Sequence, residues 1–226
     1  MLVVIQCAST KQPNAGCLSM TSGAPVIFVA RPESAPTGMG VVWARPDDPS
    51  DVAGATWRRQ LEEANSSREN ERLCRAFELY QPLAFSRLAR RFGVERMFIL
   101  SAGWGLVRSD YRLPRYDITF SKQAEPYKRR LPGDHYADFN QLPAVPDGPV
   151  VFLGGRDYLP LFTTLVRSVK GPVIVPFRCE PSDRVTRASE SGPVRLVPYR
   201  TTAKTNWHYG CAERLCEDSA FLERLG

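Results

Sequence analysis

The sequence has no long apolar run and no paired-cysteine motif. The first absence argues against a membrane-spanning protein, and the second against a disulfide-stabilised secreted domain. No stretch approaches the roughly 20 apolar residues that a membrane-spanning helix needs, so we expect no contact with a membrane. The six cysteines form no C-x-x-C pair and no secretory signal is evident. We therefore expect reduced thiols in a cytoplasmic protein, because a disulfide framework is typical of small secreted domains.

Signatures of metals and of common cofactors are also missing. His208 and Cys211 have helical spacing, but Cys216 lies off their face and no second cluster is visible, so we predict no metal site. The glycine pair at 154–155 completes neither a dinucleotide-binding motif nor a P-loop. No G-x-S-x-G elbow surrounds Ser101, which argues against a serine hydrolase. We predict that the protein uses no cofactor.

What the chain does have is enough apolar content for a core, together with a positive charge. Hydrophobic residues make up 43% of its 226 positions, which suits one domain spanning residues 1–226. The formal net charge is +6, and basic residues crowd between Arg87 and Arg130. This excess favours a polyanionic partner, although a solvated surface gives the same pattern.

Short apolar runs alternate with helical patterns along the chain. We predict strands at 2–6, 94–101, 149–153, 173–177 and 194–199, a hairpin made of 25–30 and 40–44, and helices at 57–65, 69–92 (broken at Pro82), 124–130, 157–169 and 204–215. This alternation predicts an α/β fold, a single three-layer domain with a mostly parallel central sheet.

The most informative segment runs from Phe98 through Ser-Ala-Gly-Trp-Gly to Phe120. Its apolar strand ends abruptly in small residues, which allow a close approach of backbone and ligand. The polar stretch that follows carries Asp110 and Asp117 among arginines. A ligand site at the carboxyl end of a strand is one interpretation, and a tight turn with a solvated loop is the other.

Four segments share this design, with small or polar residues after an apolar strand: 7–11, 101–106, 154–158 and 201–209. The exits of parallel strands meet at one edge of a sheet, so we expect one pocket there. The side chains predicted to bind a ligand in it are Lys11, Thr10, Ser101, Trp104, Tyr158, Asn206 and Trp207. Rings, an amide and backbone donors suit a flat heterocycle attached to a sugar. Core packing is the alternative for both tryptophans, and Cys7 is either an activated nucleophile or a buried thiol.

Cleavage of an N-glycosidic bond needs a carboxylate that stabilises positive charge on the sugar or orients water. Asp117, between Tyr116 and Ile118, is the first candidate because its setting is half apolar. Asp110 is the second candidate. Alternatively, its carboxylate fixes the loop through an Asx-type hydrogen bond to the backbone. His208 is the candidate for acid–base work, with a core role as the alternative. The residues predicted to contact phosphates are Arg108, Arg112, Arg115 and Lys128.

The first strand with Cys-Ala-Ser-Thr-Lys at 7–11, the segment 100–108 and Pro-Arg-Tyr-Asp at 114–117 resemble proteins of the YaaA type. This resemblance covers a minority of the chain and implies an α/β core linked to DNA binding and genome protection. The pocket design is more loosely similar to uracil-DNA-glycosylase-like folds, in which the loop after the first strand and a late His- or Asn-bearing segment flank an extruded base. The chain lacks the Gly-x-Asp-Pro-Tyr and His-Pro-Ser segments of those proteins, which implies a base other than uracil.

Together these features predict a DNA glycosylase that excises a modified nucleobase and leaves an abasic site, in genome protection or anti-phage defence. A hypermodified phage pyrimidine is one such base. The expected partner is modified or damaged DNA, without an obligatory protein partner. Two alternatives stay open: a non-enzymatic nucleic-acid-binding stress protein of the YaaA type, and a nucleoside hydrolase or deoxyribosyltransferase.

Overall fold

A seven-stranded sheet forms the centre of the protein in a computed structural model that describes residues 1–67, 72–178 and 194–221. The strands are β1 (Leu2–Gln6), β2 (Leu18–Ser19), β3 (Pro25–Phe28), β4 (Val42–Ala44), β5 (Cys74–Arg75), β6 (Met97–Ser101), β7 (Gly105–Arg108), β8 (Arg112–Leu113), β9 (Phe139–Asn140), β10 (Val150–Leu153), β11 (Val173–Phe177) and β12 (Val194–Pro198). The helices of the described part are α1 (Trp57–Ser66), α2 (Ala76–Leu79), α3 (Leu83–Phe92), α4 (Leu159–Leu165) and α5 (Trp207–Glu217).

The central sheet has the order β12-β11-β10-β1-β6-β7-β9, and its first five strands run parallel. Only β7 and β9 run the other way. The central strands β6 and β10 are buried along their whole length, as expected where both faces of a parallel sheet are covered. The predicted α/β class with a mostly parallel sheet is therefore confirmed, and the flanking helices are consistent with three layers.

The strand order creates a crevice beside β1. The chain passes from β1 to β6 on one side and returns later to β10 on the other side. The connections that leave β1 and β10 therefore diverge at their carboxyl ends, which is where ligands bind in open α/β sheets. Helices α3 and α5 pack on each other, and α5 also packs against β10. This packing holds the first turn of α5 at the crevice.

The predicted hairpin of 25–30 and 40–44 is wrong, because β3 and β4 pair in parallel. The connection between them is long enough to return the chain to the same end of the small sheet, and it contains a 3-10 turn at Pro32–Ser34. The antiparallel partner of β3 is β2, which precedes it. Long connections of this kind permit parallel pairing, which a tight turn does not.

Two predicted helices are also corrected. The described part of 69–92 contains β5, α2 and α3 rather than one broken helix, although the break at Pro82 is confirmed. The predicted helix at 124–130 is a three-residue 3-10 turn, Pro126–Lys128, because the chain at Thr119 bridges to Arg129 and holds this segment extended. Helices α4 and α5 are present with shifted bounds.

Candidate functional site

A cleft of about 470 Å³ opens at the carboxyl ends of β1 and β10. Its walls are three loops and helix starts, at residues 7–10, 155–158 and 204–209, with Thr119 and Ser121 at one side. The volume lies in the range of small-molecule binding sites. The topology of the sheet therefore places a ligand-sized cleft at its switch point.

Three of the four predicted strand exits meet at this cleft: 7–11, 154–158 and 201–209. Thr10, Tyr158, Asn206 and Trp207 line it, as the sequence predicted. The fourth exit, 101–106, turns back into β7 instead, because β6 and β7 form an antiparallel pair. The structure thus brings together four of the seven side chains that were predicted to bind a ligand.

A buried network of hydroxyls and a thiol extends from Cys7 and Tyr158 in the cleft lining into the core. The Cys7 Sγ is 3.2 Å from the Tyr158 hydroxyl. The Tyr116 hydroxyl lies 2.7 Å from that of Tyr80 and accepts a hydrogen bond from Ser101 Oγ at 2.9 Å. Burial raises the pKa of all three tyrosines well above the usual range, so their hydroxyls stay protonated. Ser101 therefore belongs to the support of the cleft and not to its lining.

Lys11 also lies beside the cleft rather than in its lining. Its Nζ donates to the carbonyl of Ala8 at 3.3 Å and lies 4.3 Å from the centre of the Tyr116 ring. Within the described ranges, no carboxylate forms an ion pair with this ammonium. Burial lowers the pKa of Lys11. The side chain holds the loop after β1 in place from below.

The Ser-Ala-Gly-Trp-Gly turn is part of the core. Trp104 is fully buried and meets Phe28 edge to face at 5.0 Å. Two buried arginines hold the turn: Arg58 donates to the carbonyls of Gly103 and Trp104, and Arg130 donates to that of Ala102. Trp104 therefore does not reach the cleft. It packs in the core, which was the alternative expected for it.

Gly105 shows why this turn needs a glycine. Its φ is +85°, and a Cβ there would lie 2.5 Å from the carbonyl oxygen of Phe139. The small residue allows the close approach of β9 to β7, which is a backbone contact and not a ligand contact.

Neither predicted catalytic carboxylate lines the cleft. Asp110 follows β7, whose Arg108 pairs with Phe98 near the amino end of β6, so this carboxylate lies toward the opposite edge of the sheet. Both of its oxygens accept hydrogen bonds from Arg108. Asp117 lies nearer the cleft, but its Oδ2 is 2.8 Å from the Lys128 Nζ. Burial opposes the charge of Lys128, yet the bond to Asp117 raises its pKa.

The carboxylate that does line the cleft is Asp157. It is the one acidic residue among the lining residues, and it forms no ion pair with any described residue. It follows the glycine pair at the exit of β10, where a solvent-exposed side chain reaches the cleft. From the sequence, Asp157 or Tyr158 was expected in the pocket at this exit, and no catalytic role was predicted for Asp157. Its position two residues after the glycine pair that ends a strand was the available signal.

His208 lines the cleft from the first turn of α5 and is only 3% exposed. Its Nε2 has no hydrogen-bond partner in the described structure. Burial lowers the pKa of His208 to about 4, so the imidazole is neutral at pH 7. The predicted histidine is therefore in the cleft as an uncharged hydrogen-bonding group.

The burial of His208 predicts a loss of stability in mild acid. The unfolded chain gains a proton at this side chain near pH 6.5, whereas the folded chain gains it only near pH 4. Stability should therefore fall as the pH falls between these values, by roughly 3 kcal/mol for this group. We expect urea unfolding of His208→Gln to depend less on pH than that of the parent. His135→Gln, which changes an exposed histidine, should follow the parent curve.

The four residues predicted to contact phosphates separate into two groups. Arg115 and Lys128 lie close enough to Lys11 for their charges to lower its pKa, so they are on the cleft side of the molecule. Arg108 lies near the amino end of β6, and Arg112 pairs with Arg75 in the small sheet β5-β8. Two other basic residues, Arg156 and Lys204, line the cleft itself, although neither was predicted to contact phosphates.

No group of three metal-binding side chains occurs in the described ranges. The cysteines there, Cys7, Cys17, Cys74, Cys211 and Cys216, are free thiols, and Cys179 lies outside those ranges. None of the helices in the described ranges has the length and apolar character needed to cross a membrane.

A family model described as "Family of unknown function (DUF6884)" matches residues 64–181, just over half of the chain. The matched region contains the cleft residues at 155–158 but neither the loop at 7–10 nor the one at 204–209. No curated protein and no solved structure matches the chain.

Proposed function

The chain belongs to the DUF6884 family, and we propose that it is a DNA glycosylase that excises a modified nucleobase. One observation carries the proposal. The cleft at the switch point combines Asp157, a carboxylate with no ion-pair partner in the described part of the chain, with aromatic rings and the neutral imidazole of His208. The rings can stack on a base and the imidazole can hydrogen-bond to it, while the carboxylate can assist cleavage of its glycosidic bond.

Asp157 is the residue that we assign to the chemistry. As the base departs, the deoxyribose develops positive charge, which a nearby carboxylate stabilises. The same group can orient the water that attacks the sugar. The base leaves with the electron pair of the glycosidic bond, water adds to the sugar carbon, and the proton that this water loses is matched by one that the base takes up from solvent, because His208 is not protonated at neutral pH.

The aromatic side chains at the start of α5 are suited to hold the base. Trp207 and Tyr209 both line the cleft and are partly exposed. Base stacking on such rings contributes about 1–3 kcal/mol per base and tolerates modified substituents. The orphaned Nε2 of His208 is available for a hydrogen bond to the edge of the base.

DNA is favoured as the source of the base by the charge around the cleft. Besides Lys128, which is paired with Asp117 and Glu125, the basic residues on this side that are at least partly exposed include Arg115, Lys122, Arg129, Arg156 and Lys204. Lys122 directly follows the lining residue Ser121, and its carbonyl accepts a hydrogen bond from Arg129. Such a cluster neutralises several phosphates along a strand.

The test is the release of free nucleobases from DNA incubated with the purified protein, measured by mass spectrometry. The substrates are ordinary DNA, uracil-containing and damaged DNA, and phage genomes with hypermodified cytosines. We expect one modified base to be released in proportion to the abasic sites formed. Binding to all of these DNAs without release from any of them would contradict the proposal and support a non-enzymatic binding protein.

A further inference from the structure

The first turn of α5 presents unused hydrogen-bond donors to the cleft. Its N-cap, Asn206, has a left-handed backbone with φ of 53°, and its side chain makes no capping hydrogen bond. The N–H of Tyr209 bonds to the Asn206 carbonyl at 2.9 Å. In the described part of the chain, the N–H groups of Trp207 and His208 have no protein acceptor. An 11-residue helix adds the positive end of its dipole to these donors.

The side chain of His208 is a second and independent sign of a ligand. A buried polar atom normally has a hydrogen-bond partner, because an unsatisfied one costs about 1–3 kcal/mol. The Nε2 of His208 has none in the described structure, although the residue is 3% exposed and lines the cleft. A bound molecule is the partner that the cleft can provide.

The charges of the lining residues select an anion. Arg156 and Lys204 stand on two walls of the cleft, and neither forms an ion pair with a described residue. On the third wall, the hydroxyls of Ser9 and Thr10 are exposed and have no protein partner among the described residues. Of the lining residues that the structure describes, only Asp157 carries the opposing charge.

We propose that the first turn of α5 binds a phosphate group of a nucleotide, through the N–H groups of Trp207 and His208. Lys204 and Arg156 supply the charged contacts. Helix amino termini bind phosphates in this way because backbone donors and the dipole act on the same group. The phosphate belongs either to a free nucleoside monophosphate or to the backbone of DNA next to the extruded nucleotide. That the ligand is a nucleotide rests on the proposed function, whereas the preference for phosphate does not.

The experiment is titration calorimetry at constant ionic strength with inorganic phosphate, deoxycytidine, dCMP and a single-stranded oligonucleotide that contains a tetrahydrofuran abasic analogue. We expect dCMP to bind at least about tenfold more tightly than deoxycytidine, as for a charge-assisted hydrogen-bonded contact. Inorganic phosphate should compete with dCMP.

Two variants and a matched control locate the site. Lys204→Ala and Arg156→Ala should each weaken dCMP binding about tenfold and leave deoxycytidine binding unchanged. Lys170→Ala removes the same charge as Lys204→Ala from an exposed position outside the cleft lining, and its affinities should stay within about twofold of the parent.

Each outcome is decisive. Tighter binding of dCMP than of the oligonucleotide supports the site with a free nucleotide as its source, and the reverse supports it with DNA as its source. Equal affinity for dCMP and deoxycytidine, or variants that match Lys170→Ala, would overturn the phosphate site. A phosphate preference in a protein that releases no base from any DNA supports the phosphate site and overturns only the proposed glycosylase.

Discussion

Replacing Asp157 with asparagine should lower the rate of base release by about a hundredfold or more. Asparagine keeps the size of the side chain but removes the negative charge that stabilises the sugar as the base departs. Because Asp157 is exposed and makes no ion pair with a described residue, its replacement should leave the free energy of unfolding within about 0.5 kcal/mol of the parent. Single-turnover release from the cleaved substrate measures the effect.

Asp117→Asn is the matched control for this variant. It removes the same charge from a carboxylate that lies outside the cleft lining and is already bonded to Lys128. We expect its rate to stay within about twofold of the parent, because this carboxylate does not line the cleft, and its stability to change little, because such half-exposed ion pairs contribute little. Loss of activity in Asp117→Asn with activity retained in Asp157→Asn would return the catalytic role to Asp117. DNA affinity measured for both variants separates binding from chemistry.

Replacing Arg130 with alanine should destabilise the fold by about 3–5 kcal/mol. The guanidinium and the carboxylate of Asp138 are 5% and 8% exposed, and their closest atoms are 2.5 Å apart. Arg130 also donates to the Ala102 carbonyl at 2.9 Å and stacks 4.0 Å from the centre of the Tyr136 ring. The variant leaves a buried carboxylate without its partner, and its cost is measured by the midpoint of urea unfolding.

The pair of Arg108 and Asp110 supplies the comparison. It has similar distances, but the Arg108 side chain is 53% exposed, so Arg108→Ala should cost less than about 1 kcal/mol. A double variant, Arg130→Met with Asp138→Leu, should be more stable than Arg130→Met alone, because it leaves no unpaired charge in the core. Equal midpoints for Arg130→Ala and Arg108→Ala would show that the buried pair does not support the turn.

The Ser-Ala-Gly-Trp-Gly segment has a sequence that fits either a ligand loop or a tight turn, and the structure makes it a buried turn. The sequence shows that an apolar strand ends in small residues, and this is true of β6. It does not show that two distant arginines donate to its carbonyls, Arg58 across 45 and 46 residues and Arg130 across 28. Local patterns carry no information about such distant partners, so a structural turn and a ligand loop have the same appearance.

The local sequence also could not show which carboxylate lies in the cleft. Asp117 and Asp110 stand near one another in the sequence, but the reversal of the chain at β7 carries Asp110 toward the opposite edge of the sheet. Asp157, far along the chain, reaches the cleft because β10 pairs directly with β1. The order of the strands decides which exits become neighbours, and that order depends on packing between distant elements.

The sequence by itself determined the α/β class, the buried central strands, and the small or polar exits that form most of the cleft. These features follow from local composition, since apolar runs form buried strands and glycines or polar residues end them. Only the tertiary structure decided that three exits meet and the fourth is core, and that Asp157 lies in the cleft while Asp110 and Asp117 do not. It also left the first N–H groups of α5 and the Nε2 of His208 without hydrogen-bond partners among the described residues. The reason is physical: strand order, buried ion pairs and unsatisfied donors arise from contacts between residues far apart in the chain.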